Sequence, residues 1–342
     1  MTRRTVLERG AIAGIVASLG LASASGTVAA KKNNAVPITG PTTITAPGYY
    51  VLTRDIVGEG SITVEPGVND VTIDGQRHTL SGDGTETTGI YAGQDPDGPV
   101  TENVVVKNIH VTDFTRSGID FQQVDGGQIK NATFTNCGFW ALEWINVVGV
   151  TVENCRFSEN GGVAFAFDAC DDATFARNRI TDNGTGLIFS EGSFNLTVEN
   201  NQFEHNGGCI QLDEVSNYPE IVNNRFYRNL FGVDMRYIYD GHVHRNQFVE
   251  NENTAISTEE VSGIVIEKNS IRGNGGDGIF LGDFSNENEV LKNRILDNGG
   301  DGTELVNADD NVLSKNTIKR NGGVPINVSA DSTGNVVEDN RT

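Results

Sequence analysis

Asparagine and apolar residues recur along this chain in one fixed phrase. Asn178, Asn201, Asn224, Asn246, Asn269, Asn293 and Asn316 each stand two residues before an Ile or Phe. These anchors are Ile180, Phe203, Phe226, Phe248, Ile271, Ile295 and Ile318, and a second Asn follows each: Asn183, Asn206, Asn229, Asn251, Asn274, Asn298 and Asn321. The anchors run back through Phe157, Phe134 and Val111 at intervals of 22 to 24 residues. A second apolar column stands five places before the anchors: Val198, Ile221, Val243, Ile266, Val290 and Leu313. A third element carries apolar pairs, among them Ile119/Phe121, Leu142/Trp144, Phe165/Phe167, Leu187/Phe189, Ile210/Leu212 and Val233/Met235.

Each repeat therefore predicts three short strands. Alternation sends one side chain inward and the next outward. One repeat cannot bury a core alone, but stacked repeats turn each apolar column into an interior ladder with rungs ~4.8 Å apart. Asn at the recurring turn is expected to take left-handed geometry and to bond the next Asn of its column. The fold class that satisfies this is all-β: a right-handed parallel β-helix of about a dozen rungs. A leucine-rich repeat is excluded because the return half has no helical spacing, and a propeller because its blades need ~40 residues. The solenoid is expected over residues 41–342 as one domain, with an excursion at 83–100. Cys137 and Cys155 occupy slots where other repeats carry Asn, and no CxxC pair exists. Small buried thiols are expected there rather than a disulfide or a zinc knot.

Composition sharpens this picture. Gly is abundant at 41 residues and the formal charge is −21. That balance repels nucleic acid and anionic membranes, and it keeps a protein hydrated in concentrated salt, so a salt-loving source is expected. Arg3 and Arg4 precede a small-residue apolar run from Gly10 to Leu21. Residues 1–30 read as a twin-arginine-type export signal and 31–40 as a linker. The mature chain then carries no membrane span, lies outside the cell or on its surface, and is expected to be a monomer.

Thr72-Ile73-Asp74-Gly75-Gln76-Arg77-His78-Thr79-Leu80-Ser81-Gly82 and the Asn-x-Ile/Phe repeats resemble the pectin-lyase-like superfamily of right-handed parallel β-helix proteins. Within it the chain is similar to the group holding carbohydrate-binding/sugar-hydrolase domains and the copper-processing accessory protein of nitrous oxide reductase. Pro47-Gly48-Tyr49-Tyr50-Val51-Leu52 resembles exported haloarchaeal members. The resemblance covers residues 40–340 and implies the fold more strongly than any activity, because this fold hosts lyases, hydrolases, epimerases and non-enzymatic surface proteins.

The interior ladders leave function to outward columns. The third strand's outward residues are expected to be Asp120, Glu143, Ala166, Ile188, Gln211 and Asp234, with Asp168, Asp213 and Arg236 further along. Asp213, Asp234 and Arg236 on neighbouring rungs suit polysaccharide chemistry: one carboxylate as acid, another as base or nucleophile, and the guanidinium for a uronate. Glu143, Asp168, Gln211, Tyr218, Tyr237 and Tyr239 would hold the sugar. A solvated acidic face with an Asp213–Arg236 ion pair is the competing account. His242 and His244 flank inward Val243, so both point outward, ~7 Å apart along the strand. With Glu220 one rung before and Glu267 one rung after, they suit zinc or copper(II). His78 is expected to bond backbone. No cofactor is required, although a divalent metal fits the histidines. Three functions remain in play. The first is recognition, with or without lyase or hydrolase processing, of an extracellular polysaccharide or cell-surface glycan. The second is a structural surface protein. The third is copper handling.

Overall fold

The computed structural model describes residues 34–93, 98–167, 169–190, 192–214 and 218–342. The export segment and Asp168 lie outside the described residues. Short strands form three parallel sheets of fourteen, twelve and thirteen strands, here called sheets I, II and III, with a small two-stranded sheet beside them. One turn shows the plan: Thr151–Glu153 in sheet I, Arg156–Ser158 in sheet II and Gly162–Phe167 in sheet III. The next turn stacks on it with every pair parallel. Phe134, Phe157, Ile180, Phe203, Phe226 and Phe248 are successive register partners. Their rings stack where they meet, with centroids 5.0 Å apart for Phe134–Phe157 and 4.6 Å for Phe226–Phe248. This is the predicted right-handed solenoid, and its core is the set of these ladders.

The Asn columns are buried hydrogen-bond ladders. Asn201 accepts from the main-chain N–H of Asn178 at 2.8 Å, while its amide donates to the Phe175 carbonyl and to Asn224 Oδ1. Each amide thereby satisfies backbone groups of the turn that no strand can reach. The left-handed residue is not the ladder Asn but the one before it: Asn200, Asn223, Arg245, Lys268 and Lys292 all have φ between 55° and 57° or close to it. The preceding residue turns the corner, which frees the Asn to point inward. Cys137 and Cys155 head these columns as buried thiols, their N–H groups bonded to Asn160 and Asn178. Burial pushes each thiol up to about 12, so both pack as small apolar groups.

Three expectations are corrected. Thr88–Ala92 is a regular strand of sheet III, so residues 83–100 are not one continuous excursion. In Gly162–Phe167 the inward pair is Ala164 and Ala166, register partners of Leu142 and Trp144, and Phe165 faces outward in place of Ala166. Trp144, fully buried and packed on Phe175 at 5.3 Å, fills the interior space that two alanines leave. His78 meets a side chain, Asp55, at 3.1 Å through Nδ1. Among the described residues, no helix is long and apolar enough to cross a membrane.

Candidate functional site

The outer face of sheet III carries one continuous column. Register runs Tyr91, Asp120, Glu143, Phe165, Ile188, Gln211, Asp234, Ser257 and Phe280, one residue per rung. Within it an acid pair is flanked by aromatics on both sides. Asp120 and Glu143 are buried despite facing outward, at 3% and 7% exposure. Arg116, at the start of the same rung as Asp120, folds over them. Its guanidinium grips both oxygens of Glu143, with Nε at 2.9 Å, and the Ser117 hydroxyl donates to the same carboxylate. Among the described residues, Asp120 receives the Gln122 amide, at 3.2 and 3.3 Å.

These surroundings separate the two acids. Burial first, and then the Glu143 charge, pushes the Asp120 carboxyl up to about 6, against the pull of Gln122 and Arg116. Asp120 is thus a carboxyl that holds its proton to unusually high pH, beside a carboxylate locked in an ion pair. Trp140 stacks on Phe165 with centroids 5.1 Å apart and planes 15° from parallel. The indole lies directly over Gly162, where a Cβ would stand 2.0 Å from the ring. Only glycine permits that close approach. Phe139, exposed at 67%, extends the apolar rim. Sequence reasoning placed Asp120 and Glu143 in the outward column, but it missed the lid formed by Arg116 and the Trp140–Phe165 platform. The signal was an acid pair preceded by Arg116-Ser117 and followed by outward aromatics.

The predicted cluster is also assembled. Gln211 and Asp234 are register partners, as are Asp213 and Arg236. Arg236 does not form the expected pair with Asp213. Its guanidinium lies 3.4 Å from Asp234 and 3.6 Å from Glu259, one rung on. Burial holds Asp234 above the ordinary carboxylate range; Arg236 opposes this, while Glu259 and Asp213 add to it. Asp234, Arg236, Glu259 and Phe280 line a shallow hollow of about 250 Å³. Tyr237 stands next to it, its phenol pushed up chiefly by Glu260. Tyr218 lies on the turn leading into sheet I and Tyr239 opens the sheet I strand Tyr239–His244; both are well exposed. They border the cluster rather than face the acid pair.

On sheet I, Glu220 is the register partner of His242, and Glu267 that of His244, as the spacing predicts. The imidazoles do not stay a strand's repeat apart. They stack, with centroids 3.9 Å apart and planes 10° from parallel. Glu220 bonds His244 through Nε2 and stands 3.8 Å from His242 Nδ1. Burial, followed by the neighbouring His244, holds His242 below the usual imidazole range.

Comparison with known proteins bears on the fold. No curated protein matches the sequence. Among solved structures, the mannuronan C-5 epimerase A-module of Azotobacter vinelandii superposes with a TM-score of 0.55 at 16% identity, covering 87% of this chain and 91% of that one. The periplasmic alginate epimerase AlgG gives 0.55 at 14% identity, covering 90% of this chain and 77% of its own. The surface adhesin PfbA of Streptococcus pneumoniae gives 0.57 at 13% identity, covering 82% and 83%. At these identities the likeness is one of fold. The sequence itself matches the family described as "right handed beta helix region" over residues 67–226 and 208–342, and the chain belongs to that family.

Proposed function

We propose that this is an exported protein that binds a polysaccharide along the outer face of sheet III. The observation that carries the reading is the column Tyr91–Asp120–Glu143–Phe165, an acid pair between aromatic residues, with Trp140 stacked on its last member. Aromatic faces pack on the apolar faces of sugar rings, and a half-buried carboxyl such as Asp234 on the same face bonds hydroxyls. Two to three rungs beyond Phe165, ~10–14 Å away by strand spacing, Gln211, Asp213, Asp234 and Arg236 form a second subsite on the same face. A chain laid parallel to the solenoid axis reaches both, with Tyr237 at the rim of the second.

The ligand expected is a neutral polysaccharide or cell-surface glycan. Arg116 is committed to Glu143, and Arg236 is shared between Asp234 and Glu259, so neither guanidinium is spare for a uronate. The formal charge of −21 also repels polyanions. Binding is favoured over hydrolysis, because the Glu143 carboxylate is already paired and two-carboxylate hydrolysis needs both groups available. Polysaccharide epimerases and a surface adhesin among the structural neighbours are consistent with an extracellular role. The paired arginines at the N-terminus support export by the twin-arginine route.

Tryptophan fluorescence against a panel of neutral and uronate polysaccharides, at low and high salt, tests this. A neutral chain should quench emission, and Trp140→Ala should weaken binding by about tenfold or more. Asp213→Asn should weaken it by about two- to threefold, the loss of one hydrogen bond at a rim. Unchanged binding in Trp140→Ala, or preference for a polyuronate, would overturn the site. Reducing ends released by the wild type but not by Asp120→Asn would replace binding with hydrolysis.

A further inference from the structure

The histidine pair on sheet I has no part in that polysaccharide surface. We infer that Glu220, His242 and His244 form a binding site for a zinc-class divalent cation, with Glu267 as its supporting carboxylate. Val243 belongs to the interior ladder and is fully buried, which fixes both flanking histidines on the outer face. Glu220 comes from the neighbouring rung and meets both rings: one oxygen bonds His244 Nε2, the other stands 3.8 Å from His242 Nδ1. One donor atom from each of the three residues lies within 4.8 Å of the others. Donors around a tetrahedral zinc ion, with bonds of ~2.0–2.2 Å, sit ~3.3 Å apart. Small side-chain rotations therefore close the site, and the backbone does not need to move.

Two further features point to an ion. His242 Nε2 is a buried ring nitrogen with no hydrogen bond. It faces Glu267 Oε1 at 3.5 Å, outside hydrogen-bond geometry. Turning the His242 ring to bring Nδ1 onto a cation aligns Nε2–H with Glu267, which is the carboxylate–histidine–metal arrangement of bound zinc. Glu267 is itself held by Lys268 at 2.9 Å. The donor set of two imidazoles and one carboxylate suits zinc or copper(II) over calcium or magnesium, which take oxygen ligands. Three protein donors leave one tetrahedral position open to water or a ligand group.

Isothermal titration of the chelator-stripped, untagged full chain with zinc, and visible spectroscopy with cobalt(II), test the site. One equivalent of each metal should bind, and cobalt should give the intense visible bands of a tetrahedral site with nitrogen donors. A double variant, His242→Asn with His244→Asn, should abolish that equivalent. Glu267→Gln should weaken it by about tenfold or more while the cobalt spectrum keeps its shape. Outward substitutions should leave the fold intact, and matching circular dichroism and melting curves of all variants in chelator would establish that. An equivalent of metal retained by the double variant would overturn the assignment. So would a weak octahedral cobalt spectrum, which would move the ion to the all-oxygen group of Asp277, Asp301 and Glu304. No uptake by the wild type would overturn it outright.

Discussion

At the scale of single residues, Asp120 makes the sharpest claim. Its carboxyl is raised from the ordinary 3.8 to about 6 in the folded chain, mainly by burial. A group with a raised folded pKa favours the folded state in its protonated form. That contribution is fully present below pH 4 and is lost as pH rises through about 6. By linkage it amounts to about 3 kcal/mol, at 1.36 kcal/mol per pKa unit. Asp120→Asn mimics the neutral acid, and Gln122 can still donate to its amide oxygen. In urea titrations the variant should gain on the wild type as pH rises from about 4 to 6, by about 2–3 kcal/mol, and hold that lead above. Parallel stability curves would show that Asp120 ionises without penalty. The sequence announced Asp120 as an outward residue, because alternation around Ile119 and Phe121 decides its side. It did not announce the burial, which depends on how Arg116 folds across two rungs. The histidines illustrate the same limit: alternation placed both outward, but only side-chain packing brings the rings to 3.9 Å.

At the scale of elements, the Asn ladders hold each turn to the next. Asn229 accepts from the main-chain N–H of Asn206 at 2.9 Å and from its amide at 3.0 Å. It donates to the Phe203 carbonyl and to Asn251, both at 3.1 Å. Asn229→Ala strands buried groups on two rungs and should cost about 3 kcal/mol in chemical denaturation. Asn253→Ala, at an exposed turn position two residues beyond the same ladder, should stay within about 0.5 kcal/mol. Equal effects would mean that the ladder amides merely fill space. These two columns were legible because Asn is rare inside a protein and its spacing stayed within 22 to 24 residues. A third ladder, Asn288–Asn311–Asn335, shares the main-chain N–H to Oδ1 and amide-to-carbonyl bonds, and its 23- and 24-residue spacing was visible, yet its short run hid it. The side assignment within Gly162–Phe167 failed for a different reason. In Ala-Phe-Ala-Phe both alternations are apolar, so the pattern cannot choose, and the volume of buried Trp144 chooses instead.

At the scale of the whole molecule, each turn touches only its neighbours, so stability is distributed along one axis. The axis is not uniform. In the middle, Thr197–Glu199, Glu220–Val222 and Arg225–Tyr227 each bury their central residue completely. Near the far end, Ile326–Val328 has no buried residue, and Val336 and Val337 are 45% and 46% exposed. Central rungs are covered on both sides, whereas the last strands of sheets I and III pair on one edge only. Opening the last rungs therefore costs one interface, while opening a central rung costs two. Hydrogen exchange should follow that gradient, slowest for peptides spanning 218–272 and fastest for those spanning 326–338. If zinc occupies the site on Tyr239–His244, adding it should slow exchange there and in Glu220–Val222 without slowing residues 326–338, because nearest-neighbour coupling dies away along the stack. Exchange that is uniform from end to end would mean the solenoid unfolds as one cooperative body. The local character of both sites would then be lost, because an ion or a sugar chain bound at one rung would stabilise every other rung equally.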